Sequence, residues 1–233
     1  MQQSAKSRVE PQPPLAAPVP VPEAAGPRLA GFSAVQLDWI ERALAVVVFA
    51  IFVVRIYDDY RLTQNPSDPL ILTLEFMVVF FILVRRPAEE ISVRRRDWAI
   101  ALLGTCLPWA VAPSTVGAIG PFALGCSLML AGMFAQIVTK LALNRNFGLV
   151  AARRKVVMGG PYRFVRHPIY LSYFIGHVGF LLLNPTLWNL GIYVACNSIQ
   201  VARLLAEERV LGRDPLYRAY QQKVRYRVLP GIF

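Results

Sequence analysis

The chain has 233 residues, of which 55% are hydrophobic and 17% charged, and its mean hydropathy of +0.44 indicates a membrane protein, not an ordinary water-soluble domain. The formal net charge is +11, and 21 of the 25 basic residues are Arg, which stays charged at any physiological pH. Nucleic-acid-binding proteins carry their basic residues on polar surfaces, whereas these arginines lie between long apolar runs. The charge distribution therefore argues against a nucleic-acid-binding protein.

Residues 1–33 are rich in Pro and Ala and poor in bulky apolar side chains. Burial of so few apolar groups does not offset the entropy lost on ordering the chain, so we expect a disordered tail. The tail has no continuous apolar core of signal-peptide length, and we therefore expect no cleaved secretion signal in it.

Six apolar runs of 16 to 22 residues follow the tail, at about 36–56, 69–84, 98–113, 118–139, 168–183 and 186–206. A helix of about 20 residues crosses the hydrocarbon core of a bilayer. The runs therefore predict an all-α, polytopic membrane protein with five to six transmembrane helices. The count stays open because the shorter runs also fit a tilted helix, a broken helix or a half-inserted hairpin.

Two stretches carry no charge, from Trp98 to Thr139 and from His167 to Ala202, when His is counted as neutral. Each is long enough for two crossings. Pro and Gly interrupt the first between residues 112 and 121, and Asn184-Pro185-Thr186 interrupts the second. Both stretches predict helical hairpins, the second formed by the last two membrane helices.

Basic residues are concentrated in the loops at 85–96 and 145–166 and in the C-terminal tail, whereas the other loops contain few or none. Cytoplasmic loops carry the excess of Lys and Arg, so both termini are predicted to be cytoplasmic, with a short cytoplasmic helix near the C-terminus. We expect the arginines from Arg85 to Arg96 to contact anionic lipid. The absence of a targeting signal favours a bacterial cytoplasmic membrane over an endoplasmic reticulum membrane. The sequence has no internal repeat of the kind expected in a transporter built from inverted repeats.

Metal and disulfide chemistry have few possible ligands. The three cysteines, Cys106, Cys126 and Cys196, lie in apolar runs without CxxC spacing, and His167 and His177 are the only histidines. We therefore expect no disulfide framework and no metal site. His177, within the fifth run, is predicted to make a polar contact between helices.

Polar residues are concentrated at the start of the fifth apolar run, in GGPYRFVRHPIY at residues 159–170, and at the end of the sixth, in Glu207-Glu208. If the last two helices form a hairpin, these segments meet in a pocket at the membrane surface. A C-terminal helix end favours cations over carboxylates, so the two glutamates are unfavourably placed unless the helix continues beyond them or a ligand binds to them. We expect a functional role for the pair.

The motifs GPYRFVRHPIY and EERVL, followed by the tail motif GRDPLYRAY ending in RVLP, resemble the isoprenylcysteine carboxyl methyltransferase family, which is grouped with the phospholipid methyltransferases. The resemblance covers residues about 118–230. It implies a small integral-membrane enzyme that transfers a methyl group from S-adenosylmethionine to a lipidic or small acceptor.

Matched residue by residue, the resemblance implies a cofactor site formed by Lys155, Val156, Val157, Tyr162, His167, Pro168, Ile169, Tyr170 and Glu207. Arg203, one helical turn before Glu207, matches an arginine on the substrate side, so Arg203 and Glu207 are the candidate catalytic residues. Two positions depart from the eukaryotic pattern. Phe147 replaces a Gln, and Arg154 or Lys155 replaces a His. These differences are compatible with the cofactor assignment but argue against an isoprenylcysteine substrate.

Methyl transfer from a sulfonium requires alignment of the reactants more than a strong catalyst, so a sparse site is sufficient. The acceptor stays open among an isoprenylated cysteine carboxylate, a phospholipid amine and a thiol. The expected division is a tail at 1–33, transmembrane helices 1–4 at 34–143, and a methyltransferase core at 144–233. The alternative is a non-enzymatic membrane scaffold or transporter that retains the fold.

The site residues also have structural interpretations. His167 before Pro168 would cap a membrane helix, and Arg203 would extend from an apolar helix to the membrane surface. Tyrosines in this region would form an interfacial aromatic belt, namely Tyr162, Tyr170, Tyr217 and Tyr220.

Overall fold

The computed structural model describes residues 31–63, 67–112, 114 and 117–233. The predicted disordered tail at 1–33 lies outside these residues, except for its last three positions.

Seven α-helices account for most of this part of the chain, which confirms the all-α prediction. They are α1 (Ala34–Thr63), α2 (Ser67–Val84), α3 (Arg95–Cys106), α4 (Phe122–Leu143), α5 (Pro168–Leu183), α6 (Leu187–Leu211) and α7 (Pro215–Lys223). Single 3-10 turns occupy Leu107–Ala110, Asn144–Asn146 and Gly160–Arg163. Two short strands, β1 (Glu90–Ile91) and β2 (Ala152–Arg153), pair antiparallel, and the sequence analysis did not predict them.

The third apolar run does not form one helix over 98–113. Helix α3 ends at Cys106, and Pro108 lies in the 3-10 turn that follows. Proline lacks a backbone N–H and clashes with the preceding turn, so it ends the helix here. The 12 residues of α3 span about 18 Å, less than the roughly 30 Å of a bilayer core.

Within the described residues, one helical segment, Phe122–Asn146, is both long and apolar enough to cross a membrane. Helix α5 is apolar but shorter. Large apolar side chains on α4, including Phe122, Leu130 and Phe134, are more than half exposed. Such a surface is typical of a helix that faces lipid, not of the core helix of a soluble protein.

Helix α5 packs most extensively against α4, through small residues that let the two backbones approach. A Cβ atom added at Gly132 would lie 2.6 Å from the backbone nitrogen of Gly176, and one at Gly179 would lie 2.6 Å from that of Met129. Any larger side chain at either position would clash with the backbone of the neighbouring helix.

Helices α5 and α6 form the predicted hairpin around the turn at Asn184–Thr186. His177 Nδ1 lies 3.4 Å from Asn197 Oδ1, and its ring stacks on Tyr193 at a centroid distance of 4.2 Å. These contacts confirm that His177 links the two helices. The Thr186 side chain caps the start of α6 by accepting a hydrogen bond from the backbone N–H of Asn189.

The expectation that the run from Arg85 to Arg96 contacts lipid is wrong for Arg85, which is 2% exposed. Its guanidinium binds the Glu41 carboxylate at 2.7 and 2.9 Å and lies 2.9 Å from Asp38. Arg42 and Arg154 also pair with Asp38, each at 2.9 Å. These five residues form a buried ionic cluster that joins α1, the end of α2 and the loop after α4, because buried charges require partners.

Candidate active site

A cleft opens where the loop after α4 meets the start of α5, the end of α6 and α7. The empty space among its lining residues is about 850 Å³, including the open mouth. All the predicted site residues except Pro168 line it: Lys155, Val156, Val157, Tyr162, His167, Ile169, Tyr170, Arg203 and Glu207. Pro168 is instead the first residue of α5, where its missing N–H costs no helical hydrogen bond.

Arg203 and Glu207 both line the cleft, as their spacing of one helical turn predicted. The Tyr170 hydroxyl donates a hydrogen bond of 2.5 Å to Glu207 Oε1. Arg203 is 6% exposed, and its Nε donates to the backbone carbonyl of Leu149 at 3.0 Å. Because Arg203 is buried and held by this bond, it does not extend to the membrane surface as the structural interpretation required.

Glu207 and Glu208 have different environments. Glu208 is buried and accepts hydrogen bonds from Arg166 Nε and Arg227 Nε, each at 2.7 Å, and its Oε1 lies 3.3 Å from His167 Nε2. Burial acts to raise the pKa of Glu208, but the bonds to His167, Arg227 and Arg166 outweigh burial and lower it to about 2. Glu208 is therefore an ionised structural anchor, and Glu207 is the carboxylate of the cleft.

His167 connects these groups at the start of α5. Its Nδ1 lies 3.7 Å from Glu207 Oε2, and its Nε2 lies 3.4 Å from the Tyr217 hydroxyl as well as near Glu208. Its side chain makes no capping hydrogen bond to α5. His167 thus occupies the N-cap position of α5, as the helix-capping interpretation expected, but its side chain does not cap the helix, because both ring nitrogens face side chains of α6 and α7.

The segment after α7 closes one side of the site. The backbone N–H groups of Arg166 and His167 donate to the carbonyls of Tyr226 and Arg227, at 3.0 and 2.8 Å. Arg166 Nη1 donates to the carbonyls of Val224 and Arg225. The conformation of the RHP motif thus depends on the C-terminal segment as well as on α6.

Tyr162 is 5% exposed, and its hydroxyl has no hydrogen-bond partner in the described part of the chain. Asn146 Oδ1, in another residue of the lining, is likewise buried without a partner there. Burial, and then the charge of Glu207, raises the pKa of Tyr162 well above its usual value, so the phenol keeps its proton. Unpaired buried polar atoms are costly, and a bound polar ligand would satisfy them.

Tyr217 and Tyr220, at 3% and 2% exposure, line the cleft and do not belong to an exposed aromatic belt. The Tyr220 hydroxyl donates to the carbonyl of Tyr162. Burial raises the pKa of Tyr220 to about 12, opposed by the nearby charge of Arg166. These hydroxyls therefore remain protonated donors that fix the shape of the cleft.

Several other residues of the lining were not predicted from sequence, among them Asn146, Tyr173 and Leu211. Phe147 and Arg154, noted only as departures from the family pattern, also belong to it. Tyr173 follows Tyr170 by three residues on α5, and this helical spacing was the only signal available for it. Leu211 follows Glu207 by four residues on α6, which is a similar signal. No local pattern marked Asn146, because folding of the loop after α4 brings it to the cleft.

A second, apolar groove adjoins the cleft. Its lining residues are Tyr170, Phe174, Asn197, Gln200, Val201, Leu204, Val228, Leu229 and Phe233. Tyr170 belongs to both linings, so the groove reaches the cleft at the hydroxyl that binds Glu207. Among the described residues, no group of three or more His, Cys, Asp or Glu side chains is placed to hold a metal ion.

Residues 115–217 match the sequence model of the phospholipid methyltransferase family. The match covers 103 of the 233 residues, somewhat less than half of the chain. The match includes α4, α5 and α6 and ends within α7, and so contains every residue predicted for the site. The family is one of integral-membrane methyltransferases related to the isoprenylcysteine carboxyl methyltransferases, and it indicates a membrane-located methyltransferase with lipid substrates. No curated protein shows significant similarity to the chain.

Proposed function

We propose that the protein is an integral-membrane methyltransferase that uses S-adenosylmethionine and acts on an acceptor with a hydrocarbon chain. One observation carries the proposal. Within the segment that matches the phospholipid methyltransferase family, nine side chains chosen from sequence converge on one cleft.

The cleft contains groups that suit S-adenosylmethionine. Glu207 is suited to accept hydrogen bonds from the cofactor, and the unpaired Tyr162 hydroxyl and Asn146 Oδ1 offer further polar contacts. Tyr162 and Tyr170 place aromatic rings in the lining, and aromatic faces attract cationic sulfur as they attract other cations. The cofactor would supply an electrophilic methyl group. The protein residues would bind the cofactor and exclude water from it.

Arg203 is suited to orient the acceptor. Its Nε is held by the Leu149 carbonyl, while it lines the cleft one turn from Glu207. A fixed guanidinium binds carboxylate and phosphate oxygens with defined geometry. No general base is required for a carboxylate or thiolate acceptor, because either arrives deprotonated and alignment dominates the rate.

The apolar groove suits the hydrocarbon part of the acceptor. Its lining includes Phe174 and Val201, which are both 44% exposed on α5 and α6, and it joins the cleft at Tyr170. An acceptor chain lying there would place its polar end near Arg203 and Glu207. This arrangement is compatible with a phospholipid amine or a prenylated cysteine more than with a small soluble thiol.

The multi-pass topology is part of the proposal. Large apolar side chains are exposed on α1, α4 and α6, among them Ile51, Phe134 and Val194. Contiguous exposed apolar surface on several helices is typical of contact with lipid. We propose five to six crossings of a bacterial cytoplasmic membrane, and with six crossings both termini and the cleft lie on the cytoplasmic side. We retain the division into a tail (1–33), four helices (34–143) and a methyltransferase core (144–233).

Calorimetric titration of S-adenosylmethionine into detergent-purified protein tests the cofactor. We expect saturable binding that weakens at least about tenfold in Glu207→Ala, because a charge-assisted hydrogen bond is worth about 1.5–3 kcal/mol. Glu89→Gln is the matched control, since the Glu89 side chain is 65% exposed and does not line the cleft. Absence of binding by folded wild-type protein would refute the proposal and favour a non-enzymatic scaffold.

Acceptor class is tested by incubating the protein with labelled S-adenosylmethionine and vesicles that contain one candidate acceptor at a time. A phosphatidylethanolamine vesicle and a farnesylated cysteine are the two probes. We expect label in one of them and none with a soluble thiol of low molecular weight. Methylation of the soluble thiol alone would contradict the assignment of the apolar groove.

A further inference from the structure

We infer that Glu41 of α1 is a positioning residue for the methyltransferase site, because it holds the loop segment that in turn holds Arg203. Glu41 lies outside the segment that matches the family, at residues 115–217. The inference rests on the proposed function, since it assigns the acceptor-orienting role to Arg203.

The first step is the contact between Glu41 and the loop after α4. Glu41 is 2% exposed, and its Oε1 accepts hydrogen bonds from the backbone N–H groups of Leu149 and Val150, at 2.6 and 3.0 Å. These contacts join positions 108 and 109 residues apart in the chain. Charge-assisted bonds to two consecutive amides fix the orientation of the peptide groups that carry them.

The second step connects that loop segment to the site. Leu149 receives the Glu41 bond on its N–H and provides its carbonyl to Arg203 Nε at 3.0 Å. Val150 is itself part of the lining of the cleft. A displacement of the Leu149 peptide groups would therefore move the acceptor of the one hydrogen bond that holds Arg203 among the described residues.

The third step concerns what holds Glu41. Arg85 Nη1 and Nη2 bind its two carboxylate oxygens, at 2.7 and 2.9 Å, so the carboxylate is fixed before it meets the loop. Gly148 permits this approach, since a Cβ atom there would lie 3.3 Å from Arg85 Nη1 and 2.6 Å from Arg154 Nη1. Arg85 and Glu41 thus link the position of α1 to the cleft through hydrogen bonds between buried groups.

The test uses the full-length protein with Glu41→Asp, which keeps the charge for Arg85 but shortens the reach to the two amides. We expect S-adenosylmethionine affinity within about twofold of wild type and a loss in kcat/KM for the acceptor of about 10- to 100-fold, since small misplacement of an orienting group has effects of this size. Hydrogen exchange at the Leu149 and Val150 amides should accelerate, which is a readout independent of activity.

Arg42→Met is the matched control. Arg42 belongs to the same cluster and is also buried on α1, but its hydrogen bonds go to Asp38 and to the carbonyls of Leu83 and Arg85, not to the loop. We expect its kcat/KM per folded molecule to stay near wild type. An equal loss in Arg42→Met and Glu41→Asp would indicate a merely structural role and overturn the inference.

A double-mutant cycle with Arg203→Ala separates action through Arg203 from any other effect. If Glu41 acts through Arg203, Glu41→Asp has little further effect on kcat/KM in the Arg203→Ala protein. Additive losses would overturn the inference.

The outcomes also separate this inference from the proposed function. If wild-type protein binds the cofactor and methylates its acceptor, and Glu41→Asp is indistinguishable from it, only this inference is refuted. Failure of wild-type protein to bind S-adenosylmethionine refutes the proposed function instead. If Glu41→Asp does not fold, Glu41→Gln takes its place, because a neutral carbonyl oxygen accepts more weakly than a carboxylate from the Leu149 and Val150 amides. Exchange at these amides is then expected to accelerate to a smaller extent, and the cycle with Arg203→Ala is the same.

Discussion

Glu208→Gln is predicted to destabilise the protein strongly. The substitution keeps the size of the side chain but removes the charge that binds Arg166, Arg227 and His167. Glu208 lies after the apolar part of α6, which ends at residue 206, and its side chain is 8% exposed, so solvent screens these contacts weakly.

The magnitude follows from the shift in pKa. Folding lowers the pKa of Glu208 from 4.5 to about 2, and each pKa unit corresponds to about 1.4 kcal/mol, which gives roughly 3 kcal/mol at neutral pH. Breaking a buried ion pair from one side costs about 3–5 kcal/mol by independent measurements, in agreement. For a chain of this size, roughly 3 kcal/mol lowers Tm by about 6–12 °C.

The assay uses the protein's own thiols. Cys196 is fully buried on α6, so a dye that fluoresces on reaction with thiols reports unfolding on heating in detergent. Glu89→Gln, the removal of an exposed carboxylate, is the control and should leave Tm within about 1 °C, since surface pairs contribute about 0–1 kcal/mol. A Tm for Glu208→Gln within about 2 °C of wild type would mean that the anchor does not stabilise the fold.

Three further predictions concern pH, the cofactor and helix packing. Because folding lowers the pKa of Glu208 from 4.5 to about 2, its contribution is complete above about pH 4.5 and lost as the pH falls towards 2. Wild-type Tm should therefore fall more than that of Glu208→Gln across this window, and parallel curves would contradict the prediction. Tyr162→Phe should leave Tm unchanged, since its hydroxyl has no partner in the described residues, but weaken S-adenosylmethionine binding in calorimetry about 3- to 10-fold; unchanged affinity would exclude a cofactor contact. Gly132→Ala should lower Tm, because the new Cβ would lie 2.6 Å from the nitrogen of Gly176, whereas Gly191→Ala, with nothing within 4 Å, should be neutral or stabilising by up to about 1 kcal/mol. Equal effects of the two alanines would contradict the close packing of α4 and α5.

Local patterns were sufficient for most of the helices. The apolar runs near 69–84 and 168–183 correspond to α2 and α5 within two residues. Chain-breaking residues around Asn184-Pro185-Thr186 placed the turn of the hairpin correctly. The end of α3 at Cys106 was missed, although Pro108 was a visible signal. Hydropathy was uniform across that proline, and backbone sterics decided where the helix ended.

Nine residues of the cleft could be chosen from sequence because short motifs carry the resemblance to a methyltransferase family, and two of these motifs lie at the facing ends of one hairpin. The ionic cluster could not be chosen in this way. Asp38, Glu41 and Arg85 have no local pattern that pairs them, and the charge rule assigned Arg85 to the lipid surface. Only packing of α1 against the end of α2 brings them together and makes each charge the partner of another.

The sequence by itself therefore determined the helical, apolar architecture and the identity of the RHPxY and glutamate motifs, because periodicity, chain breakers and motif spacing are local properties. The tertiary structure alone decided that Glu208 is an anchor while Glu207 faces the cleft. Adjacent residues on a helix point about 100° apart, so two identical neighbours in sequence meet different surroundings. The tertiary structure also decided that Glu41 of α1 holds the loop residue Leu149, which in turn holds Arg203. A contact between residues so far apart in the chain depends on where two surfaces meet.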